Sequence, residues 1–403
     1  MKKKNYFLMA TIFIFFTTNA QPVWESVTSP VDEDLISVCF IDTQNGWILS
    51  RTGTLLSTSD GGENWQTKSL NNGTYASVHF TDQNYGCIVG WQDSSFIQLS
   101  ADGGITWAYS YHVRAERLND VYFFNENIGW AVGFKDGLNY VLFTGDGGLI
   151  WNEQYYIHVV DGELFSVSFR DQMNGATCGA DGMFMLTNSG GTNWALDISI
   201  PSLGVDMNSV FNWDLYKGCA VGTSGTALYT INGWAQYTET VTNTTLDLYA
   251  VSADTTTGIL WAVGENGTII YTPNYLLGWG VQYSGVTENL NDVQMIDVDD
   301  GWAVGDNGTI LHYHIGSSID NVKNPNFSIF PNPSHGRISI EFNKPTPQSE
   351  LMLFDITGKI IQQHRVEENM RSTTIDASSQ ASGIYFLQIK NSDFTITKKV
   401  QLL

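Results

Sequence analysis

The sequence predicts an all-β chain, and three observations support that fold class. Its 403 residues include 39 glycines and 13% aromatic side chains, while only 15% of residues are charged. Hydrophobic residues make up 42% of the chain, which is enough to bury a core. Most of the chain repeats one short pattern of alternating apolar residues, broken by turns that contain glycine. This combination is typical of many short strands joined by tight turns.

The repeated pattern centres on a valine in the first strand of each unit. Successive valines are separated by 40, 43, 46, 43, 41 and 42 residues. The seven are Val38, Val78, Val121, Val167, Val210, Val251 and Val293. Repeats of this length are typical of four-stranded propeller blades. The sequence therefore predicts a seven-bladed β-propeller over residues 21–316.

Each unit supplies its strands in a fixed order. Leu-x-x-Val-x-Phe alternates as a first strand, and Gly129–Gly133 is an example of the second, nearly all apolar strand. Pairs such as Asp181-Gly182 and Asn307-Gly308 come next, and these residue types suit the positive φ of two-residue turns. The third strand leads into Asp-Gly-Gly-x-x-Trp, and a fourth strand begins at the tryptophan.

The acid of this Asp-Gly-Gly-x-x-Trp turn is expected to be structural. It occurs as Asp60, Asp102 and Asp146, and Ser189 takes its place in the fourth repeat. An aspartate in such a turn accepts hydrogen bonds from backbone N–H groups of the same turn. Because the carboxylate recurs blade after blade, we interpret it as a turn cap rather than a catalytic or metal-binding group.

The seventh repeat lacks its own fourth strand. It ends near Tyr313 with no Asp-Gly-Gly turn, whereas the segment Trp24–Val27 matches the fourth-strand starts at Trp65 and Trp107. We therefore expect residues 22–28 to form the outer strand of blade 7 and to close the ring.

These motifs resemble the propeller family of photosystem II stability and assembly factors, which shares its Asp-box turn with sialidases and sortilin-like propellers. The resemblance covers about residues 22–315. It rests on Gly46-Trp47, Gly129–Gly133, Gly301–Gly305 and the Asp-Gly-Gly-x-x-Trp turns. It implies the fold rather than the function, because these residues build blades and not a site.

The N-terminus is typical of a secretory signal peptide over residues 1–20. Three lysines at 2–4 precede an apolar run from Phe7 to Phe16, which is too short to span a bilayer. Cleavage is expected after Ala20. The alternative is a short membrane anchor.

The C-terminal part is expected to fold as a separate small domain. A polar linker is predicted over residues 317–326, and an Ig-like β-sandwich over 327–403, where alternating apolar runs are separated by Pro, Gly and Asn. This segment resembles the C-terminal sorting domain of type IX secretion cargo. The residues that carry the match are Pro331, Asn332, Pro333, Gly336, Asp355, Gly358, Lys359, Gly383 and Tyr385.

The resemblance to a sorting domain implies a partner and a destination. The type IX machinery would carry the protein from the periplasm of a Gram-negative bacterium to the outer surface or the medium. This route makes a photosynthetic role implausible for the propeller. The alternative is an ordinary Ig-like accessory module.

Charge is distributed unevenly between the two parts. The whole chain has a net charge of −22, and residues 21–318 carry 33 acids against seven bases. Such a surface argues against nucleic-acid binding, which needs a basic face. The cysteines Cys39, Cys87, Cys178 and Cys219 lie in strand-like segments and are interpreted as buried free thiols. Because no ligand spacing for zinc is present, neither a metal nor another cofactor is expected.

The variable connections hold the binding candidates. In a four-stranded blade the 2–3 turns and the 4–1 crossings share a face, and the candidates there are Trp91, Arg114, Arg117 and Trp279. Exposed aromatic rings stack on sugars or enter protein interfaces, and arginines bind anions. The alternatives are tryptophans that pack between blades and arginines in solvated loops.

Asp120 and Asp292, which begin first strands, are the candidates for a catalytic acid pair. A glycosidase needs two carboxylates roughly 5–9 Å apart. Serine occupies the same repeat position in four other blades, which favours a structural role instead. The leading hypothesis is an exported, non-enzymatic module that binds a glycan or a protein. The alternatives are a secreted glycoside hydrolase and an assembly scaffold for an envelope complex.

Overall fold

A computed structural model describes most of the chain. The described residues are 22–71, 73–113, 116–154, 162–197, 204–273, 278–315, 327–342, 348–355, 359–390 and 395–403. The chain divides into two compact units, Pro22–His314 and a second unit from Ile315 to Leu403. Helical segments within the described ranges are single turns, far shorter than the apolar helix that a bilayer crossing requires. The expected signal peptide and its cleavage site after Ala20 lie outside the described residues.

The first unit consists of seven four-stranded antiparallel sheets, which are the seven predicted blades. Its strands are β1 (Pro22–Val27), β2 (Leu35–Phe40), β3 (Gly46–Ser50), β4 (Thr54–Thr58), β5 (Gln66–Ser69), β6 (Thr74–Phe80), β7 (Gly86–Trp91), β8 (Ser95–Ser100), β9 (Ala108–Val113), β10 (Arg117–Phe123), β11 (Gly129–Lys135), β12 (Leu138–Thr144), β13 (Asn152–Glu153), β14 (Leu164–Phe169), β15 (Gly175–Gly179), β16 (Phe184–Thr187), β17 (Ala195–Leu196), β18 (Met207–Asn212), β19 (Gly218–Gly222), β20 (Ala227–Thr230), β21 (Thr238–Glu239), β22 (Leu248–Ala253), β23 (Leu260–Gly264), β24 (Ile269–Thr272), β25 (Gly280–Gln282), β26 (Leu290–Asp297), β27 (Asp300–Gly305) and β28 (Ile310–Ile315). Blades 1 to 6 each take four successive strands, from β2–β5 to β22–β25.

Blade 7 joins the two ends of the propeller. Its strand order is β1-β28-β27-β26, so the first strand of the unit is the outermost strand of the last blade. The Trp24 ring centroid lies 5.0 Å from that of Tyr313, and the Trp24 indole N–H donates to Gln282 Oε1 at 3.0 Å. The ring is therefore closed by hydrogen bonds within a sheet as well as by packing.

Seven apolar cores lie between successive blades, and we call each such interface a seam. The core of the seam between blades 7 and 1 contains Leu35 and Ile48 together with Trp302 and Val304. The other six cores join the remaining pairs of neighbours in the same way. Second strands face two seams, which explains why their sequences are apolar on both faces.

Glycine is required where the second strand ends. In blade 7, Asn307 and Gly308 have φ of 54° and 71°, which confirms the left-handed turn predicted for such pairs. A Cβ on Gly305, just before this turn, would lie 2.0 Å from the carbonyl oxygen of Asn289. Any larger residue at Gly305 would therefore displace the backbone that leads into the first strand.

All four cysteines are buried and free, which confirms the prediction that they are thiols. Cys39 lies in a first strand, and Cys87, Cys178 and Cys219 lie in second strands. Burial raises the pKa of the Cys39 thiol to about 12. These side chains therefore act as small apolar residues of the seams.

The second unit contains two antiparallel sheets around one core. Its strands are β29 (Phe327–Phe330), β30 (Arg337–Phe342), β31 (Ser349–Asp355), β32 (Ile360–Val366), β33 (Ser372–Asp376), β34 (Gly383–Lys390) and β35 (Thr395–Leu402). One sheet has the order β29-β30-β33 and the other β32-β31-β34-β35. Ile340 from the first sheet and Leu353, Leu387 and Val400 from the second are buried in the same core, as a β-sandwich requires.

Candidate functional site

One residue of the first strand links neighbouring blades around the central channel in six of the seven blades. A β-bulge precedes this position in all seven blades, for instance between Leu290 and Asp292. In five blades the side chain that follows the bulge accepts the backbone N–H of the repeat valine in the next blade, and Ser77 of blade 2 instead donates its hydroxyl to Asp120. Asp292 Oδ2 accepts from Val38 at 2.9 Å, and Ser37 Oγ accepts from Val78 at 3.2 Å. The bulge thus aims a polar side chain at the adjacent blade.

Asp120 and Asp292 occupy this linking position in blades 3 and 7. Asp120 accepts the N–H groups of Val121 and Val167, both at 2.9 Å, and the hydroxyl of Ser77 at 2.8 Å. Asp292 accepts the N–H of Val293 at 2.8 Å in addition to that of Val38. In blade 6 the corresponding residue is Ala250, whose side chain cannot accept a hydrogen bond. The N–H of Val293 therefore donates to Asp292 of its own blade. The structure therefore places both catalytic candidates in the bonding that holds the ring together.

Burial in the channel shifts the titration of both carboxyl groups. It raises the pKa of Asp120 to about 6 and that of Asp292 to about 7, against the opposing effect of the N–H donors. The two groups belong to blades that are three positions apart around the ring. Within the described residues, no three His, Cys, Asp or Glu side chains come together as metal ligands. The chemical role that this geometry supports for Asp120 and Asp292 is hydrogen bonding between blades.

A second layer of inter-blade bonds follows at the fifth position of the first strands. Gln294 Oε1 accepts the N–H of Phe40 at 2.5 Å, and its Nε2 donates to the Phe40 carbonyl at 3.0 Å. Ser252 Oγ accepts the N–H of Met295 at 3.0 Å, and other seams have equivalent bonds. The polar lining of the channel is thus engaged in holding adjacent blades in register.

Trp91 and Arg117 lie together at the end of the blades that carries the 2–3 turns. The Arg117 guanidinium carbon lies 5.8 Å from the centroid of the half-buried Trp91 ring, and Arg117 Nε is 3.3 Å from Glu163 Oε1. Because Glu163 neutralises the arginine, this pair presents little free positive charge to an anion. Arg114, the third candidate, lies outside the described residues.

Trp279 does not fit the role of an exposed stacking residue. Only 3% of it is accessible, and its indole N–H donates to Thr240 Oγ1 at 2.9 Å. It belongs to the core between blades 5 and 6. Blade 6 has no Asp-Gly-Gly turn, and Trp279 precedes its fourth strand as the turn tryptophans do in other blades. The suggestion that Trp279 binds a ligand is therefore wrong, because the side chain fills a seam.

The acids of the Asp-Gly-Gly turns cap those turns. Asp60 Oδ1 accepts the N–H of Asn64 at 2.9 Å, and Asp60 Oδ2 accepts the Asn64 amide at 2.7 Å, which lowers the Asp60 pKa. Asp102 accepts the N–H of Thr106 at 2.8 Å, and Asp146 accepts that of Ile150 at 2.9 Å. Each turn also donates a glycine N–H to the 1–2 turn of its own blade, so the two turns share a face. We call this the Asp-box face.

The Asp-box face carries an apolar region that the sequence reasoning missed. Its exposed large hydrophobic residues belong to the turns of blades 2 to 5 and are Tyr85, Ile105, Phe124, Leu149, Ile150, Met173, Leu215, Tyr216 and Ile231. At all but one of the matching positions in blade 1 the residue is polar, such as Asn64 in place of Ile150, and the exception is Ile41 in place of Phe124. An alignment of the seven repeats would indicate this region, because several turn positions are apolar in some blades and polar in others. These positions lie outside the strands, so packing of the blade core does not account for the apolar residues.

Among the motif residues of the second unit, Asn332 holds the first loop against the last strand, and Asp355 and Tyr385 make local bonds. Asn332 Oδ1 accepts the N–H of Gln401 at 2.9 Å. Asp355 Oδ1 accepts the N–H of Lys359 at 3.1 Å, and Tyr385 donates its hydroxyl to the Ala381 carbonyl at 2.9 Å. Gly336 has a φ of 103°, and Gly383 begins β34. Pro331 and Pro333 flank Asn332, and Gly358 lies outside the described residues.

Two family models match the two units. The model of the photosynthesis system II assembly factor YCF48 matches residues 17–109, and the model of the secretion system C-terminal sorting domain matches residues 328–402. One curated relative is the photosystem II assembly protein Ycf48 of Thermosynechococcus vestitus, which is 34% identical over 47 residues. That segment covers 12% of this chain and 14% of the relative.

Solved structures agree with the propeller architecture. YCF48 bound to D1 peptide is 17% identical, with a TM-score of 0.59 over 72% of this chain and 96% of that one. YCF48 from Cyanidioschyzon merolae is 18% identical, with a TM-score of 0.60 over 72% and 99%. The WD40 propeller domain of Doa1 is 14% identical, with a TM-score of 0.58 over 74% and 98%. At these identities the likeness shows the fold alone.

The two units thus have separate relatives, one a blade-forming repeat and the other an export signal. A type IX sorting tail implies export to the cell surface or secretion. The chain is a β-propeller resembling the photosystem II assembly factor Ycf48, and it carries a type IX secretion C-terminal sorting domain.

Proposed function

We propose that this chain is an exported binding module whose propeller captures a protein partner through the Asp-box face of blades 2 to 5. The observation that carries the proposal is the apolar region on that face. Leu149 is 73% accessible, Ile105 67% and Ile150 60%, in a propeller whose charge is otherwise strongly acidic. Clustered exposed apolar side chains mark protein interfaces more than sites for hydrophilic glycans.

The structural relatives support a protein partner. A propeller of the same architecture has been solved with a D1 peptide bound. A partner protein also suits the hypothesis of an assembly scaffold. The hydrolase hypothesis is less well supported, because its proposed acid pair, Asp120 and Asp292, forms hydrogen bonds between blades. Exposed tyrosines such as Tyr85 leave the glycan hypothesis open to a direct test.

Site-specific photo-crosslinking in the native bacterium tests this proposal. A photoreactive amino acid replaces Ile150 in blade 3, and the matched control replaces Asn64, the residue at the same repeat position in blade 1. We expect a discrete protein adduct at Ile150 and none at Asn64. Equal adducts at both positions, or saturable glycan binding that Ile150→Ser leaves unchanged, would overturn the proposed face.

Export is tested separately by deleting residues 327–403. The sorting tail resembles that of type IX cargo, so we expect the shortened chain to accumulate in the periplasm. Surface proteolysis and fractionation of the full and shortened chains measure this. Unchanged display or release of the shortened chain would contradict export by this tail.

A further inference from the structure

Four second strands carry a tryptophan at the same repeat position, and in three of them, those of blades 1, 3 and 7, the ring has the same contact. The ring stacks on the phenylalanine that ends the first strand of the next blade. The stacked pairs are Trp47 with Phe80 at 3.7 Å, Trp130 with Phe169 at 3.5 Å and Trp302 with Phe40 at 4.8 Å between centroids, with the rings within 8° of parallel. The indole N–H groups of Trp47 and Trp130 donate to the carbonyls of Gly103 and Gly190, the first glycines of the next Asp-Gly-Gly turns. An indole is therefore the side chain that these seams are shaped to hold.

The seam between blades 2 and 3 has the same walls but lacks the tryptophan. Cys87 stands 40 residues after Trp47, at the same repeat position, while Phe123 and Gly147 correspond to Phe80 and Gly103. A thiol is much smaller than an indole, so Phe123 has no counterpart of the indole that stacks on Phe80, and the His79 ring lies 6.2 Å from it between centroids. A cavity of about 740 Å³ opens there, bordered by Cys87, Phe123 and Gly147.

The chemistry of this cavity fits an aromatic group with positive charge beside it. Leu99, Tyr109 and Leu149 extend its apolar walls. The described residues that line it include the carboxylates Glu126 and Asp146 and neither lysine nor arginine. Burial lowers the pKa of His79, which also lines the cavity, to about 4, so that this imidazole is neutral at neutral pH.

We propose that the seam between blades 2 and 3 is a pocket for an aromatic side chain, best an indole, of a protein partner that carries lysine or arginine next to that residue. The incoming indole occupies the place that Trp47, Trp130 and Trp302 occupy in their own seams. Its ring stacks on Phe123, and its N–H donates towards the Gly147 carbonyl. The flanking cations meet Glu126 and Asp146 at the rim. This inference rests on the proposed function and names the pocket and the chemical class of the partner.

Short peptides provide the probe, because the natural partner is unidentified. Binding to the full chain is measured by fluorine NMR with acetyl-Lys-Trp-Lys-amide that contains 5-fluorotryptophan. We expect saturable binding that unlabelled indole displaces. Acetyl-Glu-Trp-Glu-amide, made with the same fluorinated residue, is expected to bind at least about tenfold more weakly, since its charges face the two carboxylates.

Cys87→Trp fills the pocket with the residue that blades 1, 3, 6 and 7 already use, and Cys87→Ala is the comparison variant that keeps it open. We expect Cys87→Trp to weaken peptide binding by at least about tenfold and Cys87→Ala, which removes only the thiol from the pocket wall, to weaken it far less. Circular dichroism and the urea midpoint establish that both variants fold. Should Cys87→Trp fail to fold, the exposed Glu126→Lys serves instead and is expected to reverse the preference between the two peptides.

Equal binding to the wild type and Cys87→Trp would overturn the pocket, as would an unchanged charge preference in Glu126→Lys. Absence of saturable binding to the wild type would overturn it as well. These outcomes are distinct from failure of the proposed function. Crosslinking at Ile150 can succeed while Cys87→Trp leaves peptide binding unchanged. In that case the partner binds the Asp-box face but not the seam between blades 2 and 3.

Discussion

The seam between blades 1 and 2 and the seam between blades 2 and 3 are built from equivalent repeat positions but are packed differently. In the first, Trp47 stacks on Phe80 and completes a buried core, whereas in the second, Cys87 leaves Phe123 beside an open cavity. The channel-side bond is present in both, since the side chain that follows the bulge of the first strand, Ser37 or Ser77, bridges the blades in each case. The comparison teaches that the inner hydrogen bonds hold the ring together while the outer aromatic position decides whether the core of a seam is completed by an indole or borders a cavity.

The largest expected effect comes from emptying a filled seam. Trp47→Ala removes a stacked, 4% accessible ring and leaves a cavity, so we expect a loss of about 3–5 kcal/mol in the free energy of unfolding. Cys87→Ala at the matching position of the neighbouring seam should cost about 1 kcal/mol or less, because it removes one small group beside existing space. Urea unfolding of both variants measures the difference. Similar losses would show that the two seams are equally packed.

The inner bonds are tested at Asp292. Asp292→Ser installs the residue that four other blades use and leaves the Val293 N–H without its acceptor, so we expect a loss of about 1–3 kcal/mol at pH 5. The folded-state pKa of about 7 lies above the unfolded value, so the carboxyl stabilises the fold below about pH 4 and loses that contribution as the pH rises through 7. The difference between wild type and Asp292→Ser should therefore shrink from pH 5 to pH 8.

The exposed Asp299→Ser in the same blade makes the same substitution at a carboxyl group on the surface and serves as the control. Urea unfolding at a series of pH values gives the free energy for all three proteins. A difference that grows with pH would mean that Asp292 is ionised in the folded protein throughout this range and that its bonds, rather than its protonation, dominate.

The sequence predicted the blades but not the pocket, for a physical reason. Spacing, alternation and turn residues are local properties of each repeat, so seven blades and the left-handed turn at Asn307 could be predicted one unit at a time. A seam joins residues about 40 positions apart, and its packing depends on which side chains face each other across that gap. For this reason the prediction of Trp279 as a ligand-binding residue is wrong, and nothing within a single repeat indicates the cavity beside Cys87. Both need the repeats to be compared column by column.

The smallest expected effect concerns the turn that borders a filled seam. In blade 4, Ser189 Oγ accepts the N–H of Asn193 at 2.9 Å, where Asp60 in blade 1 accepts both the N–H and the side-chain amide of Asn64. Because Asn193 matches Asn64, Ser189→Asp should gain the second bond and raise the free energy of unfolding by a few tenths of a kcal/mol. Ser189→Asn, with a neutral acceptor, is the control that separates the hydrogen bond from the charge. If Ser189→Asp lowers the urea midpoint while Ser189→Asn raises it, repulsion within this acidic propeller outweighs the added bond, and blade 4 carries serine for that reason.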